Sequence, residues 1–268
     1  MIFLSGQALR GKNGPVNRAY WNRMAARYEE EIFSVRRHDR AGRIAKLIRR
    51  QGGPGLDASD IGCGPGQFLP LLARRFRNVQ AIDLSAACIA KARAAGAAWD
   101  NITYRTADLS APGVRLERAD FALCVNVAIM PALAPRRRLL DAVCRHLRPG
   151  GHLVLVVPAL ESAMLVDFRL IECNLRHGLK PAAAVRSGFG RAPEAGRARV
   201  HEGVVPIDGV PTKHYLAEEL AVLLADRGLQ VLDLEKIEYP WTTEFAPAPR
   251  WLRAPYPWDW LAVARKAE

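Results

Sequence analysis

The sequence has few of the features that mark secreted, membrane-bound or metal-binding proteins. Its five cysteines are an odd number in 268 residues and form no C-x-x-C pair, which argues against a disulfide framework and a cysteine-based zinc site. The six histidines are isolated from one another and no H-E-x-x-H motif occurs, so we expect no bound metal. These absences favour a cytoplasmic protein with buried, reduced thiols.

Long hydrophobic runs are missing as well. No apolar stretch approaches the roughly 20 residues of a membrane-spanning helix, and the apolar start at 1–4 is too short for a signal peptide. Half of the residues are hydrophobic and a quarter are charged, which is the balance of a globular protein. We expect one compact unit with an inserted subregion and no membrane partner.

The charge is strongly positive and uneven. The net charge is +12, and residues 1–53 contribute twelve Lys/Arg against four Asp/Glu, a net +8. A basic segment of this kind can attract nucleic acid or another anionic partner. The alternative is that arginine simply solvates helix faces, and the helical spacing without interleaved aromatic residues favours this second interpretation.

Strands and helices alternate along most of the chain. A helical pattern over 17–50 predicts an N-terminal helical cap at 1–53, ahead of a core at 54–268. In that core we predict strands at 56–61, 79–82, 102–106, 121–125 and 152–157, separated by helices at 67–77, 86–98 and 136–146. This alternation is typical of an α/β fold with a mostly parallel sheet and helices on both faces.

The last part of the chain departs from this alternation. A helix at 216–227 precedes strands at 231–239 and 260–264, and no helix separates these two strands. Neighbouring strands joined by a loop normally pair antiparallel. We therefore predict a seven-stranded sheet that ends in one antiparallel edge strand.

Residues 159–213 are longer than a strand-to-helix connection requires. Their first part predicts a helix at 161–177, and alternating residues around Asp208-Gly209 predict a small hairpin. We interpret the segment as a lid or substrate-binding insertion. A surface loop without such a role is the alternative.

A glycine loop follows the first predicted strand, at Gly62-Cys63-Gly64-Pro65-Gly66. Glycines between a strand and a helix let the backbone turn sharply and approach a ligand, as nucleotide sites require. The dinucleotide fingerprint needs its third glycine at Gln67, and no Lys-Ser/Thr pair follows the loop. NAD is thus disfavoured and a phosphate-binding P-loop is absent.

Two acids end the next two predicted strands. Asp83 lies about 20 residues beyond the glycines, where a carboxylate accepts ribose hydroxyls. Asp108 follows the next strand, where it can accept from an exocyclic amine of adenine. The two positions describe one crevice at the carboxyl edge of a parallel sheet.

These motifs carry a resemblance. The sequence D-I-G-C-G-P-G at 60–66 resembles the first motif of class I, Rossmann-like methyltransferases, and A-I-D-L-S at 81–85 resembles their second. Residues 107–109, 119–127 and 147–153 are similar to later motifs of that family, so the resemblance covers about 55–160. It implies S-adenosyl-L-methionine as cofactor.

The resemblance also implies roles for single residues. Asp60 and the loop residues Gly62, Cys63, Gly64 and Gly66 would hold the methionine part of the cofactor. Asp83 with Leu84 would hold the ribose, and Asp108 with Leu109 would hold the adenine. Asn126 would face the sulfonium end. Residues 19–29 resemble the N-terminal helix of small-molecule methyltransferases related to quinone-biosynthesis enzymes. In those a tyrosine closes over the cofactor, and Tyr28 is the first candidate here, with Tyr20 next. Many relatives carry a histidine where this chain has Met130-Pro131.

A general base is needed only if the methyl acceptor must lose a proton. We predict His214 as the main candidate, with His201 and Tyr215 beside it, because an insertion that acts as a lid would face the sulfonium from the substrate side. His214 can equally satisfy backbone groups next to a helix, and His201-Glu202 can be an exposed pair. The aromatic residues between 239 and 260 would wall a pocket for a flat or cationic acceptor or pack in the core.

Three functions are compatible with these patterns. A methyltransferase acting on a small-molecule acceptor is favoured by the N-terminal helices and the insertion. An RNA-associated methyltransferase would use the basic N-terminal segment, but Asn126 is followed by Val127-Ala128-Ile129 and not by the Pro-Pro-aromatic signature of many base-methylating relatives. A non-catalytic adenosylmethionine-binding regulator is the third, because a fold does not fix a function.

Overall fold

A computed structural model describes residues 17–28, 33–186 and 199–268 of the chain. Its strands are β1 (Asp57–Ile61), β2 (Asn78–Asp83), β3 (Ile102–Thr106), β4 (Ala119–Val125), β5 (Leu147–Pro158), β6 (Val204–Ile207), β7 (Val210–Lys213), β8 (Leu229–Glu238) and β9 (Trp258–Lys266). The helices within these ranges are α1 (Arg18–Met24), α2 (Val35–His38), α3 (Arg43–Gln51), α4 (Leu69–Ala73), α5 (Ala86–Ala95), α6 (Leu133–His146), α7 (Leu160–Arg176), α8 (Pro181–Val185) and α9 (Ala217–Ala225).

Seven of the strands form one sheet in the order β3-β2-β1-β4-β5-β9-β8. The pairs from β3 to β5 are parallel, and β9 runs antiparallel to both of its neighbours. The predicted fold class, a Rossmann-like, mostly parallel sheet with an antiparallel last strand, is confirmed.

The predicted place of that last strand is wrong. β9 lies inside the sheet, between β5 and β8, and β8 forms the edge. The burial of side chains explains this order, because residues 258–264 of β9 are all buried, whereas β8 exposes polar residues such as Gln230 and Asp233. A strand that is apolar on both faces needs neighbours and cover on both sides, and a partly charged strand tolerates the edge.

The N-terminal region is more broken than the two predicted helices. α1 continues into a 3-10 turn at Ala25–Arg27, and α2 and α3 follow beyond residues 29–32, which lie outside the described ranges. The carboxylate of Asp39 accepts from the backbone amides of Arg43 and Ile44 at 2.9 Å each. This cap restarts the helix after Gly42, so the helical pattern is divided among short helices.

The insertion contains the predicted helix and hairpin. α7 is the helix, and β6 and β7 pair antiparallel around Asp208 and Gly209, whose φ angles are 50° and 78°. Two positive φ angles are those of a tight hairpin turn, for which Asp-Gly is a preferred pair. Residues 187–198 of the insertion lie outside the described ranges. Among the helices that are described, none is long and apolar enough to cross a membrane.

Candidate active site

The glycine loop joins β1 to α4 and lies at the carboxyl edge of the sheet. Gly62, Gly64 and Gly66 have φ angles of 68°, 53° and 86°, which L-residues with side chains rarely adopt. The loop also packs closely, since a Cβ on Gly62 would lie 2.3 Å from Cγ2 of Val127 and one on Gly64 would lie 2.9 Å from the hydroxyl of Tyr28. These residues must be glycine for both reasons.

Asp83, at the end of β2, holds the loop in place. Its carboxylate accepts from the backbone amide of Gly64 at 2.9 Å and from that of Ser85 at 2.7 Å. Burial raises the pKa of Asp83, and the backbone amides act in the opposite sense. Each carboxylate oxygen keeps a further acceptor site, so Asp83 is able to accept ligand hydroxyls without releasing the loop.

Asp60 is an unusual group for the inside of a sheet. It is 3% exposed, and its Oδ2 atom has no hydrogen-bond partner. Burial, followed by the charge of Asp83, raises its pKa to about 7. An unpartnered buried carboxylate is costly unless a cation or donor meets it, so this end of the crevice is suited to a positively charged group.

The N-terminal helix docks beside the crevice. Oδ1 of Asn22 accepts from the hydroxyl of Ser85 at 2.7 Å, and Nζ of Lys91 donates to the carbonyl of Ala26 at 3.0 Å. These contacts bring Tyr28 to the glycine loop, where burial and the charge of Asp83 raise the pKa of its hydroxyl. Tyr20 is buried with its ring edge-on to Trp21, at 5.2 Å between centroids.

The predicted adenine residues follow β3. Asp108 accepts from the amide of Ser110 at 2.9 Å and from its hydroxyl at 2.6 Å. Leu109 is buried in the core on one face of the sheet, and Leu84 is half-buried directly after Asp83. Cys63, like the other four cysteines, is buried. The strand ends thus bring the predicted cofactor residues to one edge of the sheet.

The three predicted catalytic residues occupy different surroundings. Tyr215 is 1% exposed and its hydroxyl donates to the carbonyl of Ala128 at 2.5 Å. His214 is buried, with Nδ1 3.0 Å from the carbonyl of Thr212, and burial lowers its pKa to about 4. The side chain of His201 is 82% exposed and lies 3.5 Å from Glu202. The structure does not bring these three side chains together.

The predicted residue Asn126 contacts a buried acid, Asp259, that was not predicted from the sequence. Asn126, directly after β4, has a φ of 54° and donates from its amide to Oδ2 of Asp259 at 3.4 Å. Asp259 is 7% exposed and opposes Pro158 at the end of β5. Burial raises its pKa to about 6, while Tyr239 and Asn126, which face it, act in the opposite sense. The signal in the sequence was one acid within the apolar run Trp258-Asp259-Trp260-Leu261.

Replacing Asp259 with asparagine is expected to stabilise the ligand-free fold. The pKa of Asp259 is higher in the folded protein than in the unfolded chain, so the wild-type protein loses folding stability as the pH rises through the folded pKa. Above that pH the buried charge costs about 2–3 kcal/mol, which Asp259→Asn removes. Urea unfolding should show this gain at about pH 8 and roughly half of it at about pH 5.

The exposed Asp233 on β8 supplies the control. Asp233→Asn should change the free energy of unfolding by less than about 0.5 kcal/mol. A gain for Asp259→Asn that is the same at both pH values would show that the charge of Asp259 is not its cause.

Within the described ranges, no three His, Cys, Asp or Glu side chains form a group that could hold a metal ion.

Comparisons with known proteins agree on one domain type. Residues 58–151 match the protein family described as methyltransferase domain. A trans-aconitate 2-methyltransferase from Deinococcus radiodurans is 35% identical over 115 residues, 40% of this chain and 39% of that protein. A malonyl-[acyl-carrier protein] O-methyltransferase from a Paenibacillus species is 29% identical over 169 residues, 60% of this chain and 61% of that protein. The matches thus span less than two thirds of these relatives.

A solved structure extends the likeness to nearly the whole fold. The N-methyltransferase NodS from Bradyrhizobium japonicum, in complex with S-adenosyl-L-homocysteine, superposes with a TM-score of 0.60 at 17% identity. The superposition covers 94% of this chain and 98% of NodS. At this identity the likeness concerns the fold.

Proposed function

We propose that the protein transfers a methyl group from S-adenosyl-L-methionine to a small-molecule acceptor, because residues 58–151 match the methyltransferase domain family and the sheet is of the Rossmann-like, mostly parallel kind. The observation that carries the proposal is the crevice at the ends of β1, β2 and β4. There a glycine loop with three positive φ angles lies between the carboxylates of Asp60 and Asp83.

The residues of the crevice fit this cofactor. Asp60 has a buried oxygen without a partner, which suits the ammonium of the methionine part. Asp83, which accepts from the amide of Gly64, would also accept the ribose hydroxyls, and Asp108 with Leu109 would contact the adenine. Asn126 also has a buried oxygen without a partner, on the side where the sulfonium would lie.

The cofactor brings an activated methyl group on a sulfonium, so the protein's main task is alignment. Holding two reactants in line can lower a barrier by roughly 7–11 kcal/mol. The glycine loop and Asp83 fix one reactant, and Tyr28 on the N-terminal helix covers the loop and excludes water. The backbone of Asn126 is fixed by its amide, which donates to the carbonyl of Val156 at 2.9 Å.

The insertion at 159–213 acts as a lid in this proposal. Its hairpin is tied to the loop after β4, because the amide of Lys213 donates to the carbonyl of Ile129 at 2.8 Å. The charge of Asp208, at the hairpin turn, also acts on Glu244, which follows β8. The contacts of Tyr215 and His214 with backbone carbonyls support a positioning role for both, and His201 lies on the surface.

The remaining parts of the chain fit the same proposal. A helical cap within 1–53 is supported, for the described residues 17–28 and 33–53, by the packing of α3 against α4 and β5. A cytoplasmic setting is supported by five free, buried cysteines.

Cofactor affinity should depend on pH through Asp60. An ammonium stabilises the ionised carboxylate, so affinity rises as Asp60 ionises around its raised pKa of about 7. Calorimetric titration with S-adenosyl-L-homocysteine should show about fivefold to tenfold weaker binding at about pH 6 than at about pH 7.5. Asp60→Asn should bind weakly at both pH values, and a wild-type affinity that does not change with pH would place the ammonium elsewhere.

Turnover tests the function itself. Purified protein with S-adenosyl-L-methionine and a fractionated metabolite extract should release S-adenosyl-L-homocysteine in fractions of low molecular mass, and Asp83→Asn should not. Release with RNA alone would favour the RNA-associated alternative. Cofactor binding without release in any fraction would favour a regulator.

A further inference from the structure

A set of polar residues, which forms the pocket of this proposal, lies where the carboxyl ends of β4 and β8 meet the start of β9. From its residues we propose that the methyl acceptor is an amine, held as a cation by Asp259 and Glu244, with Asp259 taking its proton. The inference rests on the proposed function and names the substrate class of the same site.

Four elements bring acidic and polar groups to this pocket. Asp259 opens β9, Asn126 follows β4, Tyr239 follows β8, and Glu244 follows the short 3-10 helix at Trp241–Thr243. The charges of Asp259 and Glu244 both act on the hydroxyl of Tyr239, and the charge of Asp208 from the hairpin acts on Glu244. The carboxylates of Asp259 and Glu244 thus act on one buried hydroxyl.

The pocket contains buried polar atoms without a hydrogen-bond partner. Tyr239 is 6% exposed and its hydroxyl has no hydrogen-bond partner of standard geometry. The Oδ1 atom of Asn126 is likewise buried without a partner. Backbone contact fixes Tyr239, because its amide donates to the carbonyl of Pro257 at 2.7 Å, and its ring packs edge-on against Phe33 at 4.5 Å. Buried polar atoms held in place without partners are costly, and a bound amine would supply the missing donors to Asn126 and Tyr239.

The charge of the pocket selects among acceptor classes. Burial raises the pKa of Glu244 to about 7 and that of Asp259 to about 6. Ionising these two carboxyl groups in the folded protein therefore costs folding free energy. Two basic side chains border this region: Nζ of Lys236 lies 3.7 Å from the centroid of the Trp258 ring, and the ring of His38 lies 5.5 Å from that of Tyr239. A carboxylate acceptor would meet two like charges, and a hydroxyl would neutralise neither, whereas an ammonium is attracted to both.

The same groups account for the proton. An ammonium gives one N–H proton to a carboxylate oxygen of Asp259, and the freed lone pair forms the new nitrogen–carbon bond. The carbon–sulfur bond breaks and its electron pair stays on sulfur. The product is a methylammonium that keeps its positive charge, and the proton on Asp259 passes to water when the product leaves. Each raised pKa suits a carboxylate that must take up and release a proton near neutral pH.

Thermal unfolding tests the inference without turnover. The protein is saturated with S-adenosyl-L-homocysteine and heated with each test compound at roughly 10 mM. The amines are phenethylamine and hexylamine. The matched acids are 3-phenylpropanoate and heptanoate, and the matched alcohols are 2-phenylethanol and hexanol. We expect at least one amine, and none of the acids or alcohols, to raise the unfolding midpoint. Glu244→Gln with Asp259→Asn should weaken amine binding at least about tenfold.

A matched pair of substitutions controls for net charge. Glu218→Gln with Asp233→Asn removes the same charge from exposed positions and should keep the amine effect. If the variant with Glu244→Gln and Asp259→Asn does not fold, Tyr239→Phe is tested in its place. This substitution removes only the unpartnered hydroxyl and should weaken amine binding severalfold. Stabilisation by an acid or an alcohol would overturn the inference, and so would the absence of stabilisation by either amine. Equal stabilisation of the wild type and of the folded variants by an amine would overturn it as well. A midpoint that S-adenosyl-L-homocysteine alone does not raise would instead contradict the proposed function.

Discussion

Asp83→Asn is expected to weaken the binding of S-adenosyl-L-methionine by about 10–100-fold. The carboxylate of Asp83 already accepts from the amides of Gly64 and Ser85 and offers its remaining acceptor sites to the ribose hydroxyls. Asparagine keeps one acceptor oxygen and replaces the other with a donor. A hydroxyl facing that donor loses a charge-assisted hydrogen bond, and each such bond is worth roughly 1.5–3 kcal/mol.

The folded state should survive this change. Removing one charge relieves the repulsion that helps to raise the pKa of Asp60, but the new amide donor faces one of the backbone amides of Gly64 and Ser85, so the free energy of unfolding should fall by about 1–3 kcal/mol. Calorimetry measures the affinity, and the exposed Asp100→Asn is the control for net charge. An affinity equal to that of wild type would mean that Asp83 holds only the loop.

Gly62→Ala is expected to cost roughly 2–4 kcal/mol of folding stability and most of the cofactor affinity. The φ of 68° alone costs an L-residue about 1–2 kcal/mol. In addition, the new methyl group would lie 2.3 Å from Cγ2 of Val127. Valine is stiff because it is branched at Cβ, so the clash should displace the backbone next to Asn126.

Gly113→Ala separates the two effects. Gly113 has a similar φ of 75°, but a Cβ there would meet nothing within 4 Å. Urea unfolding should therefore show a loss of about 1–2 kcal/mol for Gly113→Ala, with unchanged binding of S-adenosyl-L-homocysteine. Equal losses for the two variants would show that the close approach of Val127 does not matter.

The arrangement of the glycine loop and the strand-end acids could be predicted because local sequence determines it. Glycines after a strand and acids at successive strand ends place Gly64, Asp83 and Asp108 at one edge once the strands are known to be parallel. The hairpin at Asp208-Gly209 was predictable for a similar reason, since two positive φ angles favour that pair. These features need only the order of the elements.

The contact of Asn126 with Asp259 could not be predicted because it depends on long-range pairing. Asp259 reaches Asn126 only because β9 inserts between β5 and β8, and a one-residue change of register would turn it to the other face. Tyr215 shows the same limit, since whether its hydroxyl faces a ligand or the carbonyl of Ala128 depends on how the insertion folds back. The single acid in an apolar strand was the available signal.

Calorimetric titration of the wild-type protein with S-adenosyl-L-homocysteine and, separately, with NAD tests the central claim most directly. The glycine loop lacks the third glycine of the dinucleotide fingerprint at Gln67, and Asp60 is suited to an ammonium. Saturable binding of S-adenosyl-L-homocysteine and none of NAD is the predicted result. Binding of NAD alone would contradict the account, because the crevice would then serve a dinucleotide and not methyl transfer.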